Sequence, residues 1–356
     1  MAFTVLGVPL LTLLLIEGAS SGILFLPDVL RAFQAKQSDA NMKYDSLLGW
    51  VEHPSLYRPD LFGPGIHFRS NAQGFRGSLE TTRQPPKGRV RILCSGDSFT
   101  QGAGVGDDQT WCALLAARDH RLESVNLGVG GYGLDQAYLR FKRDGQPLEP
   151  AVHIIAFIAD DFRRMRWTQM GHAGKPILAM REGALEIRNV PVPRFLGKRP
   201  KLRALLQSAQ ELRTVQLAGV VKSRVGAGGG SSAGAMYDTT LAQVVSAMIA
   251  DLSASRQDGS SLVMLFLPTF GEYLGRSAEP WRELLRGHAD PGQDLWYLDL
   301  FSDLRRMPPD SALSMFIPDG GARGHYSAAG NEWVADILLK YLNGIPNIAA
   351  RLNALP

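Results

Sequence analysis

The sequence predicts an α/β protein with a central parallel sheet, doubly wound so that helices cover both faces. Two observations predict it. From Arg89 onward, short apolar runs alternate with amphipathic stretches of helical period. Turns rich in glycine or acid follow those runs, at the strand ends where open sheets of this kind keep their sites. Composition agrees, because 356 residues with 45% hydrophobic content make a globular chain of one large or two modest domains.

In order, "RVRILC" (Arg89 to Cys94) reads as a buried strand and "TWCALLAARD" as a helix. "LESVNLG" is a second strand, "LDQAYLRFKRDG" a helix and "AVHIIAFIA" a third strand. The interval from Arg163 to Ala235 then breaks the rhythm and reads as an insertion. Within it, "KPILAMREGALEIRNVPVP" predicts a β-hairpin around Glu182-Gly183. A basic helix (Arg194 to Arg213) and the mobile loop "GAGGGSSAGA" follow. The rhythm resumes with "TTLAQVVSAMIADLSASRQ" as helix, "SLVMLFLP" as strand, "PWRELLRGH" as helix and "DLWYLDL" as the final strand. "SAAGNEWVADILLKYLNG" closes the domain as a helix.

The first thirty residues differ in kind. They are apolar from Ala2 to Leu30, broken by Glu17 and a Gly/Ser cluster. Such a stretch exceeds the ~20 residues needed to cross a bilayer. It also suits a signal peptide whose apolar region ends near Ile16, with Ala19 and Ser21 at a cleavage site. No Lys or Arg precedes it, and Arg31 and Lys36 follow, so charge placement does not support a periplasmic body. The expectation is membrane attachment, with secretion as the outcome if the segment is cleaved. Residues 31–87 then read as an extended arm or small elements leading to a domain over 88–345, with 346–356 as a tail.

Net charge is +4, without a dense Lys/Arg tract, so no nucleic-acid partner is expected. The two cysteines, Cys94 and Cys112, have no metal-binding spacing and read as buried small hydrophobes, a bridge between them remaining open. Neither a phosphate loop nor a zinc-protease motif occurs, and no metal or organic cofactor is implied.

Four stretches sit at strand ends and converge if the sheet is parallel. They are Gly96-Asp97-Ser98, "NLGVGGYG" (Asn126 to Gly133), "FIADDF" (Phe157 to Phe162) and "FIPDGGARGHYSAAGNEW" (Phe316 to Trp333). Gly96 permits a sharp turn into a serine. The glycines of the second stretch let backbone N–H groups approach a ligand, as an oxyanion hole requires. The fourth supplies a histidine with an aspartate upstream. Ser, His and Asp on one edge suit acyl transfer, the His taking the Ser proton and the Asp orienting the ring.

These blocks resemble the SGNH (GDSL-type) hydrolases, over roughly Tyr44 to Leu342. "GDSFTQG", "NLGVGGYG" and "HYSAAGNEWVA" carry the resemblance, and "YDSLLGW" and "NAQGFRG" are similar to membrane-anchored bacterial members. The resemblance implies a flavodoxin-like three-layer fold and cleavage or transfer of acyl esters. It makes Ser98 the nucleophile, His325 the base and Gly131 the glycine whose N–H faces the oxyanion, beside that of Ser98. Two departures stand out. Asp160 occupies the place where the family carries an oxyanion-donating Asn, and a carboxylate donates only when it is protonated. Asp319, the candidate triad acid, lies six residues before His325 rather than two or three. The implied substrate is an acyl ester, acetyl included, of a cell-envelope glycan or lipid on the extracytoplasmic side. The competing expectation is a binding or scaffold protein of the same fold, for which Asp160 is the best argument.

Overall fold

The computed structural model describes Leu15 and residues 41–171, 173–194 and 238–355. The apolar N-terminal segment, the basic helix and the glycine-rich loop fall outside this range, and with them the expectation of a membrane anchor. Among the described residues no helix is long and apolar enough to cross a membrane. Met42–Arg194 and the chain from 238 onward belong to one compact unit, described below.

Its centre is a five-stranded parallel sheet of β1 (Val90–Ser95), β2 (Leu122–Asn126), β3 (Val152–Phe157), β4 (Ser261–Phe266) and β5 (Leu295–Asp299). The spatial order is β2-β1-β3-β4-β5, the flavodoxin-like order, with its switch point between β1 and β3. Register fixes that crevice: Cys94 pairs with Ile154 and Ser95 with Ile155, so β1 ends two residues before β3 does.

The helices that concern the site and the two faces are α1 (Ser98–Gln101), α2 (Trp111–Arg118), α3 (Leu134–Arg140), α4 (Ala159–Arg164), α5 (Thr239–Ala254), α6 (Glu279–Gly287) and α7 (Ala328–Asn343). Alternation along the strands divides their side chains between two cores. Leu93, Ile155, Phe157, Met264 and Phe266 face one, with Tyr138, Val245 and Trp281 from α3, α5 and α6. Ile92, Cys94, Ile154, Val263 and Leu265 face the other, with Trp111, Leu115, Val334 and Leu338 from α2 and α7. Strands covered on both faces are apolar almost throughout, which is why they read clearly in the sequence. Side-chain caps start the helices: Thr110 accepts from Ala113 N at 3.2 Å and Asp238 from Thr240 N at 2.8 Å. Caps of this type contribute about 1 kcal/mol each.

The hairpin forms as Ile177–Arg181 paired with Ala184–Arg188. Glu182 and Gly183 both have positive φ (51° and 82°), the geometry of a tight two-residue hairpin turn. Other expectations need correction. Before Lys87 the small elements allowed for there do form, Met42–Asp45 pairing antiparallel with Gly49–Glu52, but they belong to the domain: Leu48, Trp50, Val51 and Phe75 are buried in the first core. The residues read as a tail form a helix, Pro346–Asn353, that buries Ile348 and Leu352. Cys94 and Cys112 are joined as a disulfide, tying β1 to α2 across the turn that carries Ser98.

Candidate active site

β1 ends at Ser95, and the chain turns through Gly96 and Asp97 into α1, whose first residue is Ser98. Glycine is required at 96 for space. A Cβ there would lie 2.2 Å from Thr100 Oγ1 and 2.7 Å from the Ala156 carbonyl of β3. Asp97 caps the helix by accepting from Phe99 N at 2.8 Å. Ser98 keeps 9% of its surface exposed. Its N–H has no acceptor among the described residues, as expected in the first turn of a helix.

His325 arrives on a loop folded back on itself. Gly324 N donates to Ile317 O and Ile317 N to His325 O, both at 2.8 Å. Gly324 has φ 82°, a conformation that favours glycine. The loop thereby sets His325 Nε2 2.8 Å from Ser98 Oγ, across 227 positions of chain. Nδ1 lies 3.0 Å from the carbonyl oxygen of Ala322. A carbonyl only accepts, so Nδ1 carries the proton, and Nε2 turns its lone pair to the Ser98 hydroxyl. The Phe99 ring packs against the imidazole at 4.8 Å between centroids. Burial lowers the His325 pKa below the ordinary histidine value, and Arg164 acts the same way. The Asp97 carboxylate and the bond to Ala322 oppose them.

Two expected residues do not take their expected places. Asp319 is exposed, and its carboxylate has no hydrogen-bond partner among the described residues. The reason is the turn between them. Arg323 N donates to Gly320 O and His325 N to Ala322 O, so a main-chain carbonyl, not Asp319, meets the ring. Asp160 lies in the first turn of α4 with its side chain 37% exposed, paired with Arg163 at 3.1 Å. There it faces Arg163 and solvent, not the apolar setting that an oxyanion-donating carboxyl needs.

The acids that do reach the site were missed. Asp97 is 2% exposed, with Oδ2 3.4 Å from Ser98 Oγ. Arg164 Nη1 donates to that same Oδ2 at 2.8 Å, to Asp161 Oδ1 at 2.7 Å and to the Tyr132 carbonyl at 2.9 Å. Burial, with Asp97 adding to it, pushes the Asp161 carboxyl well above the usual range. In the sequence Asp97 passes for a simple cap, and Arg164 falls inside the presumed insertion. The adjacent acids of "IADD" followed three residues later by Arg164 were the available signal.

The glycine loop after β2 lies against α1. A Cβ on Gly128 would come 2.3 Å from Gln101 N, so only glycine allows this approach. Asn126 braces the two, donating to Thr100 O at 2.7 Å and accepting from Gly128 N at 2.9 Å. Trp50 Nε1 holds Gly130 O at 3.0 Å. Gly131 has φ 78°, and its N–H has no acceptor among the described residues. Met170 and Trp50 wall its other side, at 3.2 and 3.6 Å from where a side chain would begin. Trp111 and Tyr132, aromatics close to the strand ends, are fully buried in the cores. His153 is structural, stacked on Phe141 at 3.5 Å and bonded to Ser95 Oγ at 2.9 Å. No group of three or more His, Cys, Asp or Glu among the described residues is arranged to hold a metal.

Comparison with known proteins adds a family. Residues 94–333 match the model of the GDSL-like lipase/acylhydrolase family. No curated protein matches the chain. Among solved structures, a lipolytic protein of the G-D-S-L family from Desulfitobacterium hafniense is 17% identical, with a TM-score of 0.40, covering 71% of this chain and 100% of its own. One from Veillonella parvula is 11% identical, with a TM-score of 0.41 and coverages of 72% and 99%. A catalytic mutant of Axe2, an acetylxylan esterase from Geobacillus stearothermophilus, is 12% identical, with a TM-score of 0.40 and coverages of 72% and 94%.

Proposed function

Since the chain belongs to the GDSL-like lipase/acylhydrolase family, we propose that it cleaves an acyl ester with a serine–histidine pair oriented by a main-chain carbonyl. The observation that carries this reading is the 2.8 Å contact of His325 Nε2 with Ser98 Oγ. Ser98 Oγ attacks the ester carbonyl carbon as its proton passes to Nε2. The tetrahedral oxyanion accepts hydrogen bonds from the unpartnered N–H groups of Ser98 and Gly131. Collapse expels the alcohol, which takes the proton from Nε2, and leaves an acyl-serine. Water then attacks with His325 as base and releases the acid. Transfer to a sugar hydroxyl follows the same steps, with that hydroxyl in place of water.

The substrate we favour is an acyl ester, acetyl foremost, on a cell-envelope glycan or lipid outside the cytoplasm. The long apolar N-terminal stretch supports this location, as does the Cys94–Cys112 disulfide, a bond that persists mainly in oxidising compartments. A binding or scaffold protein would have no need of two unpartnered N–H groups beside an assembled Ser–His pair. The test is acetate release from O-acetylated envelope polymers and from p-nitrophenyl acetate. We expect release that falls by at least about 10³-fold in Ser98→Ala. Release unchanged in that variant, or none from any ester, contradicts the reading.

A further inference from the structure

Among the described residues no carboxylate meets His325 Nδ1, which faces the Ala322 carbonyl, yet the imidazolium formed during attack arises in a largely buried place. A neutral carbonyl fixes the tautomer but offers little to offset a full charge. The buried carboxylate nearest the reacting atoms is on the other side. Asp97 Oδ2 is 3.4 Å from Ser98 Oγ, the atom bonded to His325 Nε2. Two bonds hold Asp97 in place, from Phe99 N to Oδ1 and from Arg164 Nη1 to Oδ2. We propose that Asp97, clamped by Arg164, is the counter-charge of the His325 imidazolium, acting from the serine side where a triad acid acts from Nδ1. This rests on the serine–histidine reading above.

Ser98 has one hydroxyl proton and two acceptors in reach, at 2.8 Å on His325 and 3.4 Å on Asp97. The shorter bond wins in the resting site. Once the proton has moved to Nε2, the positive ring faces the fixed carboxylate across the attacking oxygen. Arg164 moderates that carboxylate, since it also binds Asp161 and the Tyr132 carbonyl. The remaining charged groups around this cluster are engaged elsewhere: Asp160 pairs with Arg163, and Glu272 caps its own short helix at Thr269. Tyr326, beside the ring of Phe99, donates its hydroxyl to Pro268 O. Asp97 is therefore a positioning residue that acts through His325, and Arg164 sets its strength.

Opposite substitutions separate this role from a structural one. The readout is the acid limb of kcat/KM against pH, which reports the free enzyme's base. Asp97→Asn removes the negative charge, so the limb should move to lower pH while the plateau falls. Arg164→Gln removes the opposing positive charge, so the limb should move to higher pH, and Arg164→Lys should restore it. A purely structural role would lower activity in both variants without moving the limbs apart. Limbs that stay put, or move the same way, overturn the proposal. If Asp97→Asn does not fold, the Arg164→Gln and Arg164→Lys pair decides alone, and an unmoved limb in Arg164→Gln overturns it. A wild type inert to every ester instead overturns the serine–histidine reading beneath it.

Discussion

At His325 a single acceptor, the Ala322 carbonyl at 3.0 Å, holds the Nδ1 proton, and burial keeps the ring neutral below the ordinary histidine range. The base therefore sheds its proton at a lower pH than an ordinary histidine does. The acid limb of kcat/KM is expected below the usual histidine pKa, and Asp319→Asn should leave both limb and plateau within about twofold, as for an exposed surface change. Rates of the two proteins measured over a pH series check this. A loss near the ~10⁴-fold seen when a triad acid is neutralised would instead make Asp319 the orienting acid. Ser98 and His325 were legible in the sequence because each sits in a block with few other uses for its residues. Asp319 was misplaced because a glycine-rich turn can present either a side chain or a carbonyl, and spacing does not tell which.

Among the elements, the parallel strands and their helices were legible because continuous apolar runs and side-chain caps write themselves into residue order. The early arm was not. Its strands are short, and although they pair with each other, the core that buries them comes from far along the chain. Glu52 ends one of them and is buried beside Arg76 and Arg140, with Gln101 of α1 donating to its carboxylate. Burial raises its pKa from 4.5 to about 7. Between those values the folded protein binds more protons than the unfolded chain, so this group's contribution falls as pH rises from 4.5 through 7. Glu52→Gln should therefore gain on the wild type by up to about 3 kcal/mol at pH 8 compared with pH 5. Urea denaturation of both proteins at the two pH values measures the gain. A difference independent of pH would mean that Glu52 titrates normally in the fold.

For the molecule as a whole, the order β2-β1-β3-β4-β5 does the essential work, placing the turns after β1 and β3 beside one another at the switch point. Ser98 follows β1, the Asp161–Arg164 pair follows β3, and the last loop returns from the far end of the chain with His325. That convergence was readable from strand order of the expected kind. The buried ionic contacts were not, because nothing in residue order says which of two adjacent acids turns inward. Asp161 does, while Asp160 stays at the rim.

The most direct measurement is labelling of the full chain with a fluorophosphonate, followed by mass-spectrometric mapping of the adduct. The account predicts one adduct on Ser98, absent in Ser98→Ala, strongly slowed in His325→Ala and retained in Asp319→Ala. An unlabelled folded wild type, or an adduct on another residue, would contradict it.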